Sequence, residues 1–586
     1  MKHDNVRRLF VAMLALIVFV TGCEGGATLG GTPLVERPAN AVEISIVYAP
    51  ELDLFMPGVI NDFNRAFAEG RNPVTGQPVQ SGERPIYVTG KPASSGTVMQ
   101  AIVNAVIAPG NVNVERPTIF APSVSHWLAL ANYQSGRELF DLSDSPPTAL
   151  APVVMAIWES RLRAIQAKHP GQPIGWEELL EVLNDPEGWA AYGIPGRTTV
   201  YYGHTDPYIS STALSTLIAE FYASARYNTN NPNLRRLTIE MVNLPQVQQG
   251  VRQIEQLIKH YSARTTEFKE YIAQGPEYLD FVALEENDLI FINQGKTEYQ
   301  PPERLVALYP KEGTFWHEHP FAIPAADWVT LEQRTAAKVF TEYVRTQSVQ
   351  EKIMANGFRP ATTDVPIGYP ISADLGVDPQ QPATVLDVPD PAVVAAVQAS
   401  WQFVKKQADV LLLVDVSGSM SGDKIDQARQ AGLAFLDKLP AQNRVGLMIF
   451  NHAISMRVPL DSFERNSAEV RNAIQGLQAD GDTALYDAVI AAVDSLSQDQ
   501  DSERIRAIVL LSDGQDTASG QSLNDMVNAI NAQRGGKNPI LIVPVAYGED
   551  ADINALSAIA RTSSTRVQPG DPARIQNVLE IISSYF

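Results

Sequence analysis

The stretch "VDVSGSM", residues 414–420, places Asp415, Ser417 and Ser419 at alternate positions directly after the apolar run "VLLL". Two more oxygen-bearing side chains stand at comparable places further on, Thr483 in "DGDTALYDA" and Asp513 in "LLSDGQD". Hydroxyls and carboxylates are hard ligands, which suit Mg²⁺, Mn²⁺ or Ca²⁺ rather than zinc. Taken alone, Ser417 and Ser419 have a second use, as caps for the helix that follows. A separate set of hydroxyls, Ser94 and Ser95 in "PASSGT" and Ser210, Ser211 and Thr212 in "GHTDPYISSTAL", stands where apolar-periodic helices begin. A helix N-terminus offers free N–H donors and partial positive charge, so these groups suit an oxyanion or a sugar hydroxyl. They would equally serve as N-caps.

The elements that must position the first set are legible in residues 406–586. "DVLLLVD" is the uninterrupted apolar run of a strand buried on both faces. "DKIDQARQAGLAFLDKL" aligns Ile425, Ala428, Gly432, Phe435, Leu436 and Leu439 on one helical face, and "TALYDAVIAAVDSL" aligns Leu485, Ala488, Val489, Ala492, Val493 and Leu496. "RVGLMIF", "RAIVLLSD", "NPILIVPVAYG" and "TRVQ" read as further strands, "ISMRVPL" as an antiparallel edge, and "PARIQNVLEIISSYF" as a closing helix. The expectation is a doubly wound α/β domain, in which ligands bind beyond the carboxyl ends of the strands. Asp415, Thr483 and Asp513 all fall at such ends. This arrangement resembles the von Willebrand factor A domain, whose metal-ion-dependent adhesion site is built from an Asp-x-Ser-x-Ser, a Thr and an Asp. The resemblance implies that Ser417, Ser419 and Thr483 ligate Mg²⁺ (or Mn²⁺ or Ca²⁺) directly, and Asp415 and Asp513 directly or through water. It also implies a protein partner whose carboxylate completes the metal's shell.

The beginning of the chain reads as an export leader. "MKHDNVRR" is basic, and the apolar stretch "LFVAMLALIVFV" (9–20) is too short to cross about 30 Å of hydrocarbon as a helix. "VTGC" follows, ending in Cys23, the only cysteine of the chain. It resembles the lipobox of bacterial lipoproteins. That implies a signal peptide at 1–22, lipidation of Cys23 and a Gly- and Pro-rich tether at 23–41. The protein would then be held on the outer face of the bacterial cell membrane, or in a periplasmic or outer-membrane leaflet. With no second cysteine, an intrachain disulfide is excluded.

Residues 42–405 also alternate strands and helices. "VEISIVYA", "PIYVTG" and "PTIFAPS" are expected strands, each followed by a helix, and strands are expected again at "DLIFIN" and "RLVALYP". A segment around 150–280 reads as richer in helices. The order of elements, with "PASSGT", "GHTDPYISSTAL" and "GFRPA", resembles two-lobed bacterial extracellular solute-binding proteins. The resemblance implies a small ligand in a cleft between lobes, held by helix N-termini and loop side chains. Ser94, Ser95, Ser210, Ser211 and Thr212 are the candidates. "PAVVAAVQASWQFVKKQ" runs almost directly into "ADVLLLVD", so the two halves are expected to be packed together.

The balance of 66 acidic against 45 basic residues, a net charge of −21, argues against a nucleic-acid partner, which requires concentrated Lys and Arg. "HEHP" (317–320) reads as a loop rather than a zinc site, and "DQDSE" (499–503) lacks the glycine and closing glutamate of a calcium loop. No nucleophile elbow, phosphate loop or His-Glu-x-x-His occurs. No His or Lys is expected beside the five oxygen ligands, so the chain is read as a binding protein, not an enzyme. The alternative is a solute receptor of an ABC-type importer with the C-terminal domain as a docking module.

Overall fold

The computed structural model describes residues 35–586 except 111–114, 196–199, 263–264, 499–500, 502, 514, 535–538, 549–550, 564, 566, 571–574 and 584. The leader, Cys23 and most of the tether lie outside the described residues. No helix among those described is long and apolar enough to cross a membrane.

The first sheet is parallel, in the order β2-β1-β3, from β1 (Val42–Tyr48), β2 (Ile86–Pro92) and β3 (Ile119–Ala121). Alternation along β1 sends Ile44, Ile46 and Tyr48 into a core with Val59, Phe63 and Phe67, while Val47 joins the core on the other face. The second sheet contains β4 (Ala149–Trp158), β5 (Tyr202–Thr205), β6 (Ile258–Ser262), β7 (Phe281–Glu285), β8 (Leu305–Leu308), β9 (Trp316–His317) and β10 (Arg359–Pro360). Its order is β10-β4-β7-β5-β6, with β8 and β9 also pairing with β4. Each sheet with its helices makes one lobe.

One expected strand is a helix. "DLIFIN" lies within the helix Glu286–Asn293, and the strand is β7 just before it. Leu289, Ile290 and Ile292 are all at most 1% exposed. A short apolar run buried on every side shows neither the period of a strand nor that of a helix. The acidic pair Glu286 and Asp288 in the first turn favours the helix. The segment around 150–280, expected to be richer in helices, opens instead with the long strand β4, nearly all of it buried.

The third sheet has β11 (Ala408–Asp415), β12 (Arg444–Phe450), β13 (Ile454–Ser462), β14 (Ile505–Ser512), β15 (Ile540–Tyr547) and β16 (Gln568–Gly570). Its order is β13-β12-β11-β14-β15-β16, parallel except for the antiparallel edge β13. All eight residues of β11 are buried. Val410, Leu412 and Val414 face the helix Asp423–Lys438 through Ile425, Ala428 and Phe435, while Leu411 and Leu413 face the helix Leu485–Ser497. Both helices bury the faces expected of them.

The join between the halves is tight. The helix Pro391–Val404 buries Val393, Val397, Trp401 and Val404, and β11 begins after only three more residues. The Lys406 N–H donates to Tyr261 Oη at 2.9 Å, and Lys406 Nζ to the Ile258 carbonyl at 3.2 Å. Trp401, Tyr261, Tyr585 and Phe586 belong to one apolar core with Ala408, so the halves share a core.

Candidate metal centre and ligand cleft

In the third sheet β11 and β14 are neighbours, and chain progression reverses direction between them. The carboxyl ends of these two strands form the crevice where ligands bind in doubly wound sheets. Asp415 is the last residue of β11, and Asp513 follows the last residue of β14. Asp415 Oδ1 accepts from the Ser417 N–H at 2.9 Å, and its Oδ2 from Ser512 Oγ at 2.7 Å. Ser417 Oγ lies 3.0 Å from Ser419 Oγ, which donates to Asp513 Oδ1 at 2.7 Å. Asp415, Ser417 and Asp513 are buried, but Ser419 is exposed, so the cluster reaches solvent through one hydroxyl.

Thr483 is brought alongside by its backbone. The Gly418 N–H donates to the Gly481 carbonyl at 2.8 Å, and the Asp480 N–H to the Val416 carbonyl at 2.8 Å. Thr517 and Ala518 donate to the Thr483 carbonyl at 2.8 and 3.0 Å. Gly481 has φ +80°, and a Cβ there would meet His452 Nδ1 at 2.3 Å, so only glycine lets this loop lie so close. Ser417 accepts no capping bond here, although it stands at the N-cap of a short 3₁₀ turn.

The donor set is all oxygen with two carboxylates, which fits a hard divalent cation. Burial, and then the charge of Asp513, push the Asp415 carboxyl up against hydrogen bonds from Ser417 and Ser512. Two carboxylates in one buried place favour a cation between them. One expectation is corrected. Lys424 Nζ lies 2.5 Å from Asp513 Oδ2, and the His452 ring lies against Gly481, so basic residues do stand beside the site.

The second set of hydroxyls converges as well. Ser94, Ser95, Ser210 and Ser211 line one cavity between the lobes, with Glu51 and Ser123. The cavity is about 20 Å³, room for one water-sized group. Ser94 is the N-cap residue of the helix Ser95–Ile107 yet makes no side-chain cap bond, so its hydroxyl is left to the cavity. Ser210 does cap the helix Ser211–Asn228 through the Ala213 N–H, and lies 2.8 Å from Thr265 Oγ1. Ser211 Oγ accepts from Trp127 Nε1 at 2.9 Å. Thr212 is buried, its Oγ1 has no partner, and it is not among the lining residues. The lobes close over this place: the Gly96 N–H donates to the Ile209 carbonyl at 3.1 Å, and a Cβ on Gly96 would meet the Tyr208 carbonyl oxygen at 2.0 Å.

Residues 410–515 match the von Willebrand factor type A domain, and residues 96–379 match the bacterial extracellular solute-binding protein family. The chain joins a solute-binding region to an A domain. Inter-alpha-trypsin inhibitor heavy chain H4 of Homo sapiens is 28% identical over 159 residues, 26% of this chain and 17% of that protein. The chain thus spans less than a fifth of that relative's length. Among solved structures, a periplasmic thiamin binding protein is 13% identical with a TM-score of 0.42, over 64% of this chain and 99% of its own. A von Willebrand factor type A protein from Catenulispora acidiphila is 21% identical with a TM-score of 0.28, over 31% of this chain and 43% of its own.

Sequence reading missed the ionisable cluster behind the cleft of the solute-binding region. His317 and His319, read as a loop, are both fully buried around Glu285. His317 Nδ1 lies 2.7 Å from Glu285 Oε1, and His319 Nε2 lies 3.1 Å from Oε2. Burial raises the Glu285 carboxyl, but the two imidazoles outweigh it and hold the group at about 2. Lys269 Nζ sits 2.9 Å from Asp288 Oδ1. Burial, then Glu285 and Asp288, push Glu51 up to about 8, well above the ordinary carboxylate range. The available clue was only the spacing of His317 and His319 around one residue; the strand ends at His317, and His319 turns its ring to Glu285 from a backbone with φ +43°.

Proposed function

We propose that this chain is a lipid-anchored, extracytoplasmic binding protein that takes a small ligand in its cleft. Its A domain would take a divalent cation and, through it, a carboxylate of a protein partner. The observation that carries this reading is the rim at β11 and β14. There Asp415, Ser417, Ser419 and Asp513 are joined by hydrogen bonds of 3.0 Å or less, and one hydroxyl opens to solvent. When bound, the cation supplies an electrophilic site that an external carboxylate can complete. Asp415 and Asp513 hold its charge, and Ser417, Ser419 and Thr483 supply neutral oxygens. Mg²⁺ is the first choice by the hardness of the donors, with Mn²⁺ and Ca²⁺ next. A region of an extracellular solute-binding family supports a place outside the cytoplasm.

The reading is binding rather than turnover, because the lysine beside the rim is paired with Asp513 and is not free to act as a base. Calorimetric titration of Mg²⁺ and Mn²⁺ into the full chain tests the metal. Asp415→Ala is expected to abolish binding, and Thr483→Ala to weaken it less, since water can replace a neutral ligand. Equal affinity in wild type and Asp415→Ala would remove the assignment. The anchor rests on Cys23. Cys23→Ser is expected to move the protein from the membrane fraction to the soluble one, and an unchanged distribution and mass would refute lipidation.

A further inference from the structure

His204 on β5, Glu220 on the helix Ser211–Asn228 and Glu255 at the end of the helix Pro245–Glu255 meet inside the second lobe. None of them lines the cleft. They are 2%, 0% and 0% exposed. A ring nitrogen of His204 and one oxygen from each carboxylate all lie within 4.8 Å of one another.

Each of the three has one atom held from behind and one atom free. His204 Nδ1 lies 2.7 Å from the Thr205 carbonyl oxygen, which only accepts, so Nδ1 carries the proton and Nε2 keeps its lone pair. Tyr202 Oη donates to Glu220 Oε1 at 3.4 Å, and Tyr261 Oη donates to Glu255 Oε2 at 2.7 Å. His204 Nε2, Glu220 Oε2 and Glu255 Oε1 have no donor from any other residue, and the two carboxyls can be joined to each other only through a shared proton. Metal-binding histidines and carboxylates are oriented in this way, by a second atom bonded to a carbonyl or hydroxyl. Three buried lone pairs facing one another are costly unless a proton or a cation lies between them.

Charge points the same way. Two carboxylates in one apolar place cannot both ionise without a counter-charge. Burial and then Glu255 push Glu220 up, and burial pushes His204 down to about 3, so the imidazole is neutral. Lys405, over the Tyr261 ring, donates to the Phe586 carbonyl, so its charge acts on Glu255 only across space and makes no hydrogen bond there. A divalent cation would neutralise both carboxylates at once, whereas a proton neutralises one.

We infer that His204, Glu220 and Glu255 form a binding site for a divalent transition metal, zinc being the fitting probe. A mixed set of one imidazole and two carboxylates suits zinc, at roughly 2.0–2.2 Å per ligand, while Mg²⁺ prefers oxygen alone. With its ligands buried, the ion is structural and is taken up as the chain folds. It stiffens the seam between the halves, because Tyr261, the backing group of Glu255, also accepts the Lys406 N–H.

The test uses the full chain carrying Asp415→Ala, which removes the A-domain rim as a competing zinc ligand. The protein is refolded with Zn²⁺, desalted, and analysed for bound metal and by zinc X-ray absorption. One equivalent of retained zinc is expected, with a first shell of one imidazole nitrogen and carboxylate oxygens. Adding Glu220→Gln or His204→Phe should abolish retention. If either variant fails to fold, the absorption spectrum of the parent alone decides. No retained zinc, or a shell without imidazole, overturns the site and leaves a proton shared by Glu220 and Glu255 as what balances the pair. Neither result bears on the A-domain rim.

Discussion

Asp513 has two competing partners. Its Oδ1 accepts from Ser419, and its Oδ2 meets the Lys424 ammonium at 2.5 Å. A cation that takes Asp513 must share it with a positive charge already there. Lys424→Met should therefore tighten Mg²⁺ binding by about tenfold, roughly 1.4 kcal/mol, read by calorimetry. Weaker binding in the variant would show that Lys424 organises the rim instead of competing for it. Glu51 supports a different residue-scale prediction. Its folded-state value of about 8 lies above the ordinary carboxylate range, so folding favours the protonated form. That contribution is full at low pH and is lost as pH rises through about 8. Relative to Glu51→Gln, the wild type should lose stability between about pH 4.5 and 8, with a limiting slope of roughly 1.4 kcal/mol per pH unit, and run parallel to it above pH 8. Denaturant midpoints of both proteins between pH 4.5 and 9 check it, and curves already parallel below pH 8 would sink the idea.

Among the elements, legibility followed burial geometry. β11 and the helices Asp423–Lys438 and Leu485–Ser497 were readable because one has an unbroken apolar run and the others a clean 3.6-residue stripe. The Asp-x-Ser-x-Ser and Asp positions stand at the ends of the apolar strands β11 and β14, and the Thr position stands just before the helix Leu485–Ser497, so all could be read from their neighbours. "DLIFIN" was not, because the polar residues of its helix are buried too: Glu286 pairs with Arg359 and Asp288 with Lys269, partners distant in sequence that no local pattern announces. The His317–Glu285–His319 cluster was hidden for the same reason. Ser94 and Ser210 look alike in sequence, both opening helices, and only the structure separates a hydroxyl spent on capping from one left free. The helix Ser95–Ile107 meets the opposite lobe through Gly96, where a side chain has no room. Gly96→Ala should push the lobes apart and open the cleft, seen as a larger radius of gyration by small-angle scattering. An unchanged radius would mean that the loop Asp206–Ser210 yields locally.

At the scale of the molecule, one helix touches everything that matters. Pro391–Val404 packs on His126–Ser135 of the first lobe and on Pro245–Glu255 of the second. Its Gln398 donates through Nε2 to the Pro207 carbonyl at 2.8 Å and accepts from Tyr208 Oη at 2.8 Å. Those residues belong to the loop that closes over Gly96, and the same helix leads through Lys406 into β11, which ends at Asp415. Separating the lobes must strain these bonds or move the helix, and the strand it feeds runs roughly 25 Å to the metal rim. If the cleft takes a ligand and the rim a cation as proposed, their occupancies would then not be independent equilibria. By linkage, whatever factor a cleft ligand applies to Mn²⁺ affinity, Mn²⁺ must return to that ligand. The opened variant Gly96→Ala should therefore bind Mn²⁺ with an altered affinity although the substitution lies in the first lobe, and an identical titration would show the two sites to be deaf to each other. A coupled chain of this kind would be a coincidence detector, committing to its partner only when a solute is present.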